Sequence, residues 1–92
     1  MKTYAILRRH GWTTPEELGA AADRSTQEGE EMADQVRWIR SYVLSEGDNG
    51  LGTVCIYQAA SEDAIRNHAS RADLPLDEII PVADTVVVNP DP

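Results

Sequence analysis

The sequence is short of several residue types, and each shortage excludes a class of protein. One cysteine among 92 residues leaves no intramolecular disulfide to form. Phenylalanine is absent, and there are only two tryptophans and three tyrosines. Basic residues number 8 against 16 acidic ones, and a surface with a net charge of −8 repels phosphate backbones. We therefore predict that the protein has no nucleic-acid partner.

Long apolar runs are also missing. No segment approaches the roughly 18 consecutive apolar residues that indicate a membrane-spanning helix. The N-terminal sequence MKTYAILRRH has neither the long apolar run nor the small-residue cleavage site of a signal peptide. These absences predict a soluble cytoplasmic protein without a membrane partner. The length allows one domain, which we assign to residues 1–92.

Strand and helix signals alternate along the chain. Thr14, Pro15 and Glu17 form a capping box at the start of the first helix, and Ser61 is a typical N-cap for the second. Asn49–Gly50 is a hairpin turn signal between two apolar segments. We predict strands over 3–9, 36–44, 53–58 and 79–88, helices over 14–32 and from 61 to a stop at Pro75, and a polar tail over 89–92.

The order strand, helix, strand, strand, helix, strand is typical of the ferredoxin-like α+β fold. In that fold a four-stranded antiparallel sheet carries both helices on one face. The other face must meet solvent, a ligand or a second subunit. Because a chain this small buries a modest fraction of its surface, we expect a homodimer that closes sheet on sheet.

Alternation along the two central strands groups the candidate functional side chains. The simplest match places the aliphatic residues under the helices: Ile39, Val43, Val54 and Ile56. The open face would then carry Trp38, Arg40, Tyr42, Cys55 and Tyr57. One cation and one thiol among aromatic rings suit a small anionic or aromatic ligand. The opposite phase stays open because Val36 and Leu44 are also apolar, and in that phase Cys55 and His68 can touch.

Each candidate also has an ordinary structural interpretation. A single buried cysteine such as Cys55 is more often a small inert side chain than a ligand. His68 falls on the inner stripe of the second helix, where a histidine is more often a hydrogen-bonded core residue. The sequence contains no zinc-ligand spacing, phosphate-binding loop or nucleophile–base motif. Motifs alone therefore assign no activity.

Three segments together resemble a known family: VRWIRSYVL, TVCIYQA and SEDAIRNHASRADLPLDEIIPV. They are similar to segments of a family of small bacterial proteins described as nickel-binding or of unknown function. The resemblance covers about Tyr4 to Val82 and implies a dimeric ferredoxin-like fold. The positions that match the family pattern are Trp38, Ser41, Tyr42, Cys55, Tyr57, His68 and Pro75.

The resemblance implies a site for nickel or another divalent metal. Cys55 and His68 would be its ligands, with Tyr42 or Tyr57 behind them. Arg40, however, stands where the family has a strand histidine, and residues 7–9 replace acidic residues. Losing one imidazole weakens a metal site by ligand count, and a permanent cation in its place weakens the site further by repulsion. Arg40 favours a carboxylate or phosphate instead.

Three functions stay open at this point. The first is binding of a divalent metal ion or a small ligand, with the ligand surrounded by Trp38, Arg40, Tyr42 and Tyr57. The alternative is a cofactor-independent enzyme for small organic molecules, in which Arg40 holds a substrate anion and His68 acts as acid or base. The third is a pure interaction domain whose open face is filled by the dimer contact.

Overall fold

Two helices cover one face of a four-stranded antiparallel sheet in the computed structural model, which describes residues 1–48 and 50–91. The elements are β1 (Lys2–Trp12), α1 (Pro15–Glu31), β2 (Val36–Ser45), β3 (Leu51–Ala59), α2 (Glu62–Ala72) and β4 (Glu78–Pro81). The strand order in the sheet is β2-β3-β1-β4. This is the predicted ferredoxin-like α+β fold. No helix in the described ranges is long and apolar enough to cross a membrane.

The two helices begin where their capping residues predict. The Thr14 hydroxyl accepts the Glu17 N–H at 3.1 Å, and the Glu17 carboxylate accepts the Thr13 N–H at 3.0 Å. Ser61 caps α2 in the same way, at 3.1 Å from the N–H three residues on. Helix α2 ends at Asp73, which adopts the left-handed conformation with φ of 54°. The predicted Asn49–Gly50 turn includes Asn49, which lies outside the described residues.

The last strand is shorter than predicted. β4 ends at Pro81, which lies opposite Tyr4, and β1 has only two more residues beyond that pair. The final bond of this pairing joins the Val82 N–H to the Thr3 carbonyl at 2.9 Å. The run Val86–Val88 therefore lies outside the sheet and is exposed, although its residues have high strand propensity.

Two irregularities interrupt the strand pairing. One lies between Arg8 and Trp12, where β1 shifts against β3 and His10 has a φ of 50°. The other lies on β2 between Trp38 and Arg40. An extra residue in one strand reverses the faces of the side chains that follow it. The β2 irregularity adds one residue and changes which residues share a side of the sheet, whereas the β1 irregularity adds two and leaves Arg8 and Trp12 on the same side.

The simplest match of the strands placed Val54 and Ile56 of β3 under the helices. The helices cover the opposite face of β3, so this prediction is wrong for that strand. Thr53, Cys55 and Tyr57 are buried beneath the helices, whereas Val54 and Ile56 lie half-buried on the open face. Burial of a tyrosine and a cysteine is possible here because the Tyr57 hydroxyl and the Cys55 thiol both find hydrogen-bond partners.

Strict alternation placed Trp38, Arg40 and Tyr42 of β2 on one face, and the bulge in this strand divides them between two faces. Trp38 lies opposite Tyr57, on the helix side of the sheet. Beyond the bulge, Arg40 and Tyr42 occupy the open side, and Val43 returns to the helix side. Neither of the two phases considered from the sequence describes the whole of β2.

The two helices pack against the sheet to different extents. Helix α2 buries its predicted inner stripe: Ile65, His68, Ala69 and Ala72. Helix α1 buries only Ala21 and Ser25 along its length. Small side chains on α1 leave space between this helix and the sheet, and that space is the cavity described below.

Candidate functional site

A cavity of about 390 Å³ lies between α1 and the sheet. Its apolar walls include Trp12, Leu18, Trp38, Val43 and Leu74. Its polar lining includes Arg8, Ser25, Ser41, Thr53 and Cys55. Small-molecule sites have volumes of roughly 300–1,000 Å³, with apolar walls and a few converging polar groups. The cavity has the size and composition of such a site.

Arg8 is the most unusual residue of the lining, because it is a permanent cation with only 1% of its surface exposed. It lies under the helices because it continues the buried series of Tyr4 and Ile6 on β1. Its Nη1 donates to the Pro75 carbonyl at 2.6 Å, while its Nη2 has no hydrogen-bond partner among the described residues. None of the ion pairs formed by those residues includes Arg8.

Arg8 was not among the functional residues predicted from the sequence. It lies in a run of two arginines at the end of a predicted strand, where a solvated charge is the usual interpretation. The available signal was its two-residue spacing from Tyr4 and Ile6, which places all three on one face. A cation in series with buried residues indicates a buried charge, and buried charges need partners.

Tyr57 forms one wall of the cavity together with Trp38. Their rings are nearly parallel, at 8° with centroids 6.1 Å apart. The Tyr57 hydroxyl bonds the Ser25 hydroxyl at 2.9 Å, and the Trp38 indole N–H donates to the Ser41 hydroxyl at 2.8 Å. Burial raises the pKa of Tyr57, against the opposing effects of its Ser25 hydrogen bond and the Arg8 charge.

Cys55 and His68 lie on the same side of the sheet, but they have separate partners. The Cys55 thiol lines the cavity and donates to the Thr53 hydroxyl at 3.3 Å. His68 packs against the Tyr57 ring at 5.6 Å, and its Nε2 bonds the Ser25 carbonyl at 3.0 Å. Burial lowers the pKa of His68. His68 is not among the described residues that line the cavity.

These residues do not fit a nickel site built from one chain. Within residues 1–48 and 50–91, no group of three or more His, Cys, Asp or Glu side chains is placed to hold a metal ion. Cys55 and His68 are the two predicted metal ligands, and each already has a protein partner. The cavity that Cys55 lines also contains the Arg8 guanidinium, and a fixed positive charge repels a divalent cation.

The structure divides the predicted ligand-binding residues between the two faces of the sheet. Trp38 and Tyr57 line the cavity, whereas Arg40 and Tyr42 lie on the open face. There Arg40 forms an ion pair with Asp91, and the Tyr42 hydroxyl donates to the same carboxylate at 2.9 Å. The hydrogen bonds from Tyr42 and Arg40 lower the pKa of Asp91. Arg40 and His68, the predicted enzyme pair, are therefore separated by the sheet.

Fold and cavity together define a class, a small ferredoxin-like α+β protein with a cavity between its first helix and its sheet. The sequence profile described as "Nickel responsive protein SCO4226-like" matches residues 4–82. The chain belongs to this SCO4226-like family, which confirms the resemblance found from the sequence.

One solved structure shows the same fold. The crystal structure of SCO4226 from Streptomyces coelicolor A3(2) superposes with a TM-score of 0.73 at 19% sequence identity. The match covers 91% of this chain and 99% of that one. No curated protein matches the chain.

Proposed function

We propose that this protein binds a small organic ligand in the cavity between α1 and the sheet. The cavity itself carries the proposal. A space of about 390 Å³ with apolar walls and a few polar groups is typical of a small-molecule site. The polar groups of Arg8, Ser41 and Thr53 lie among apolar walls, where they can orient a bound molecule.

A cavity-filling variant tests this function. Ala22 lines the cavity from α1, and Ala20 lies exposed on the same helix. We expect Ala22→Phe to weaken ligand binding roughly tenfold or more, because the added ring occupies the site, and Ala20→Phe to bind as the wild type does. Calorimetric titration and the ligand-induced rise in melting temperature both report binding.

The probes for this test are 2-naphthoate, 2-naphthamide, 2-naphthylmethylamine and octanoate. Binding of any of them to the wild type, weakened in Ala22→Phe and kept in Ala20→Phe, supports the proposal. The proposal is wrong if none of them gives a heat of binding or raises the melting temperature at about 1 mM. It is also wrong if Ala22→Phe binds them as tightly as the wild type.

The family description favours a second candidate function, a role connected with nickel. Cys55 and His68 would have to leave their present partners, Thr53 and Ser25, to act as ligands. Native mass spectrometry with added nickel tests this candidate. One nickel ion per subunit, lost in both Cys55→Ser and His68→Ala, supports it. A metal-free protein, or retained binding in both variants, contradicts it.

The proposed assembly is a homodimer that pairs the open faces of two sheets. Val54, Ile56 and Leu44 are half-buried on that face, and Tyr42 is 44% exposed. An apolar sheet face on a chain of this size gains stability from a second copy. The expected compartment is the cytoplasm, where a single free and buried cysteine such as Cys55 is typical.

A further inference from the structure

We infer that the ligand of this cavity is an apolar monocarboxylate whose carboxylate pairs with Arg8. This inference rests on the ligand-binding function proposed above and specifies its chemistry. The buried guanidinium of Arg8, with Nη2 unpartnered among the described residues, is the observation that carries it.

A buried charge without a counter-charge is costly, and native proteins retain one where a partner supplies the opposite charge. Arg8 lines the cavity, and no carboxylate of the described residues pairs with it. One hydrogen bond, from Nη1 to the Pro75 carbonyl, holds the side chain in place. A carboxylate can satisfy the remaining donors, because its two oxygens match the planar fork of a guanidinium.

The rest of the lining limits the ligand to one negative charge and an apolar body. Arg8 is the only Lys or Arg among the described residues that line the cavity. Its apolar walls include Trp12, Leu18, Trp38 and Leu74, which can bury an apolar body but offer little to a second anionic group. The net charge of −8 further disfavours a ligand with several negative charges. An inorganic phosphate would match neither the single cation nor the apolar walls.

Arg8 also has a purely structural interpretation, in which its bond to the Pro75 carbonyl fixes the segment after α2. That role uses Nη1 alone and makes no distinction between a carboxylate and its amide. Comparing two ligands of the same shape therefore separates a binding role from a structural one.

The experiment is calorimetric titration of the full chain with 2-naphthoate and with 2-naphthamide, which differ in charge and little in shape. We expect 2-naphthoate to bind roughly tenfold tighter or better, because only the carboxylate neutralises the buried guanidinium. Octanoate in parallel distinguishes an aromatic from an aliphatic acid, and inorganic phosphate tests whether charge alone suffices.

Two variants connect the preference to Arg8. Arg8→Met keeps an unbranched side chain of similar length, and we expect it to remove the preference for the acid over the amide. Arg37→Met is the matched control, since Arg37 is exposed and bonds Gln58 on the open face. We expect the control to keep the wild-type preference.

Each outcome decides one of the two proposals. Equal binding of acid and amide by the wild type overturns the carboxylate inference and leaves the ligand-binding function standing. This comparison needs no variant, so it holds even where Arg8→Met fails to fold. A preference for the acid that persists in a folded Arg8→Met also overturns the inference, and tighter binding of phosphate than of either acid does the same. Binding of none of these probes contradicts the proposed function itself.

Discussion

At the scale of single residues, Glu46 is the acidic side chain whose pKa departs most clearly from its ordinary value. Its carboxylate accepts two hydrogen bonds from Arg9, at 2.7 and 2.8 Å, and one from the His10 N–H at 3.3 Å. The hydrogen bonds from Arg9, above all, lower the pKa of Glu46 to about 2 from an ordinary 4.5. The charged form is therefore favoured in the folded state. Its stabilising effect is complete above pH 4.5 and is lost as the pH falls towards 2.

We predict that Glu46→Gln lowers the melting temperature at pH 7 by several degrees. The variant should also show a shallower loss of stability between pH 4.5 and 2, because it lacks the titrating group. Thermal unfolding followed by circular dichroism at several pH values measures both effects. Glu30→Gln, an exposed position on α1, is the control and should follow the wild-type curve. Parallel curves for Glu46→Gln and the wild type would contradict the prediction.

Protonation of His68 also lowers the stability of the fold as the pH falls, but over a higher pH range than protonation of Glu46. Burial lowers its pKa from 6.5; the Arg8 and Arg71 charges add to this, and the Ser25 carbonyl and Glu28 oppose it. The unfolded chain therefore takes up a proton first, and stability falls as the pH drops below 6.5. We predict that His68→Gln removes this fall. Melting temperatures at pH 7.5, 6.5 and 5.5 measure it, and an unchanged slope in the variant would contradict the stated cause.

At the scale of elements, the features predictable from sequence are those that local signals determine. Thr14 and Ser61 cap their helices in any tertiary context, so helix starts and element order followed from the sequence. The faces of the strands depend on pairing. The bulge between Trp38 and Arg40 reverses alternation within β2, and no local residue preference indicates it. The cavity was unpredictable for the same reason, because it depends on which faces of β1 and β3 the helices cover.

The end of α2 provides a prediction at this scale. Asp73 terminates the helix with a φ of 54°, a region in which a side chain introduces steric strain. Its carbonyl accepts from the Arg24 guanidinium at 3.2 Å, a backbone contact that a change of side chain leaves in place. We predict that Asp73→Gly stabilises the protein by about 0.5–1 kcal/mol. Denaturant unfolding measures the change, and Asp73→Val, which should destabilise, is the opposing control.

At the scale of the whole molecule, the proposed ligand site and the proposed dimer contact lie on opposite faces of the sheet. The helix face contains the cavity and the buried Arg8. The open face carries half-buried aliphatic residues, and the chain passes from β4 at one edge of the sheet to Asp91, which bonds Arg40 and Tyr42 of β2 at the other edge. A ligand in the cavity and a second subunit on the open face can therefore be present together. Dimer formation does not compete with ligand binding in this arrangement.

The homodimer proposal yields the last prediction. Ile56 lies on the open face of β3, opposite Arg40 on one side and Ala5 on the other, near the middle of the sheet. We predict that Ile56→Glu weakens dimerisation by on the order of a hundredfold, because Arg40, the cation opposite, already pairs with Asp91 and a second buried carboxylate would lack a counter-charge. Light scattering after size-exclusion chromatography measures the mass of the assembly. Ala20→Glu is the control, because Ala20 is exposed on α1. The variant should remain folded and should still bind the cavity ligand, because the cavity lies on the other face of the sheet. A wild type that is monomeric at about 100 μM, or an Ile56→Glu variant that is dimeric there, would show that this face does not form the contact.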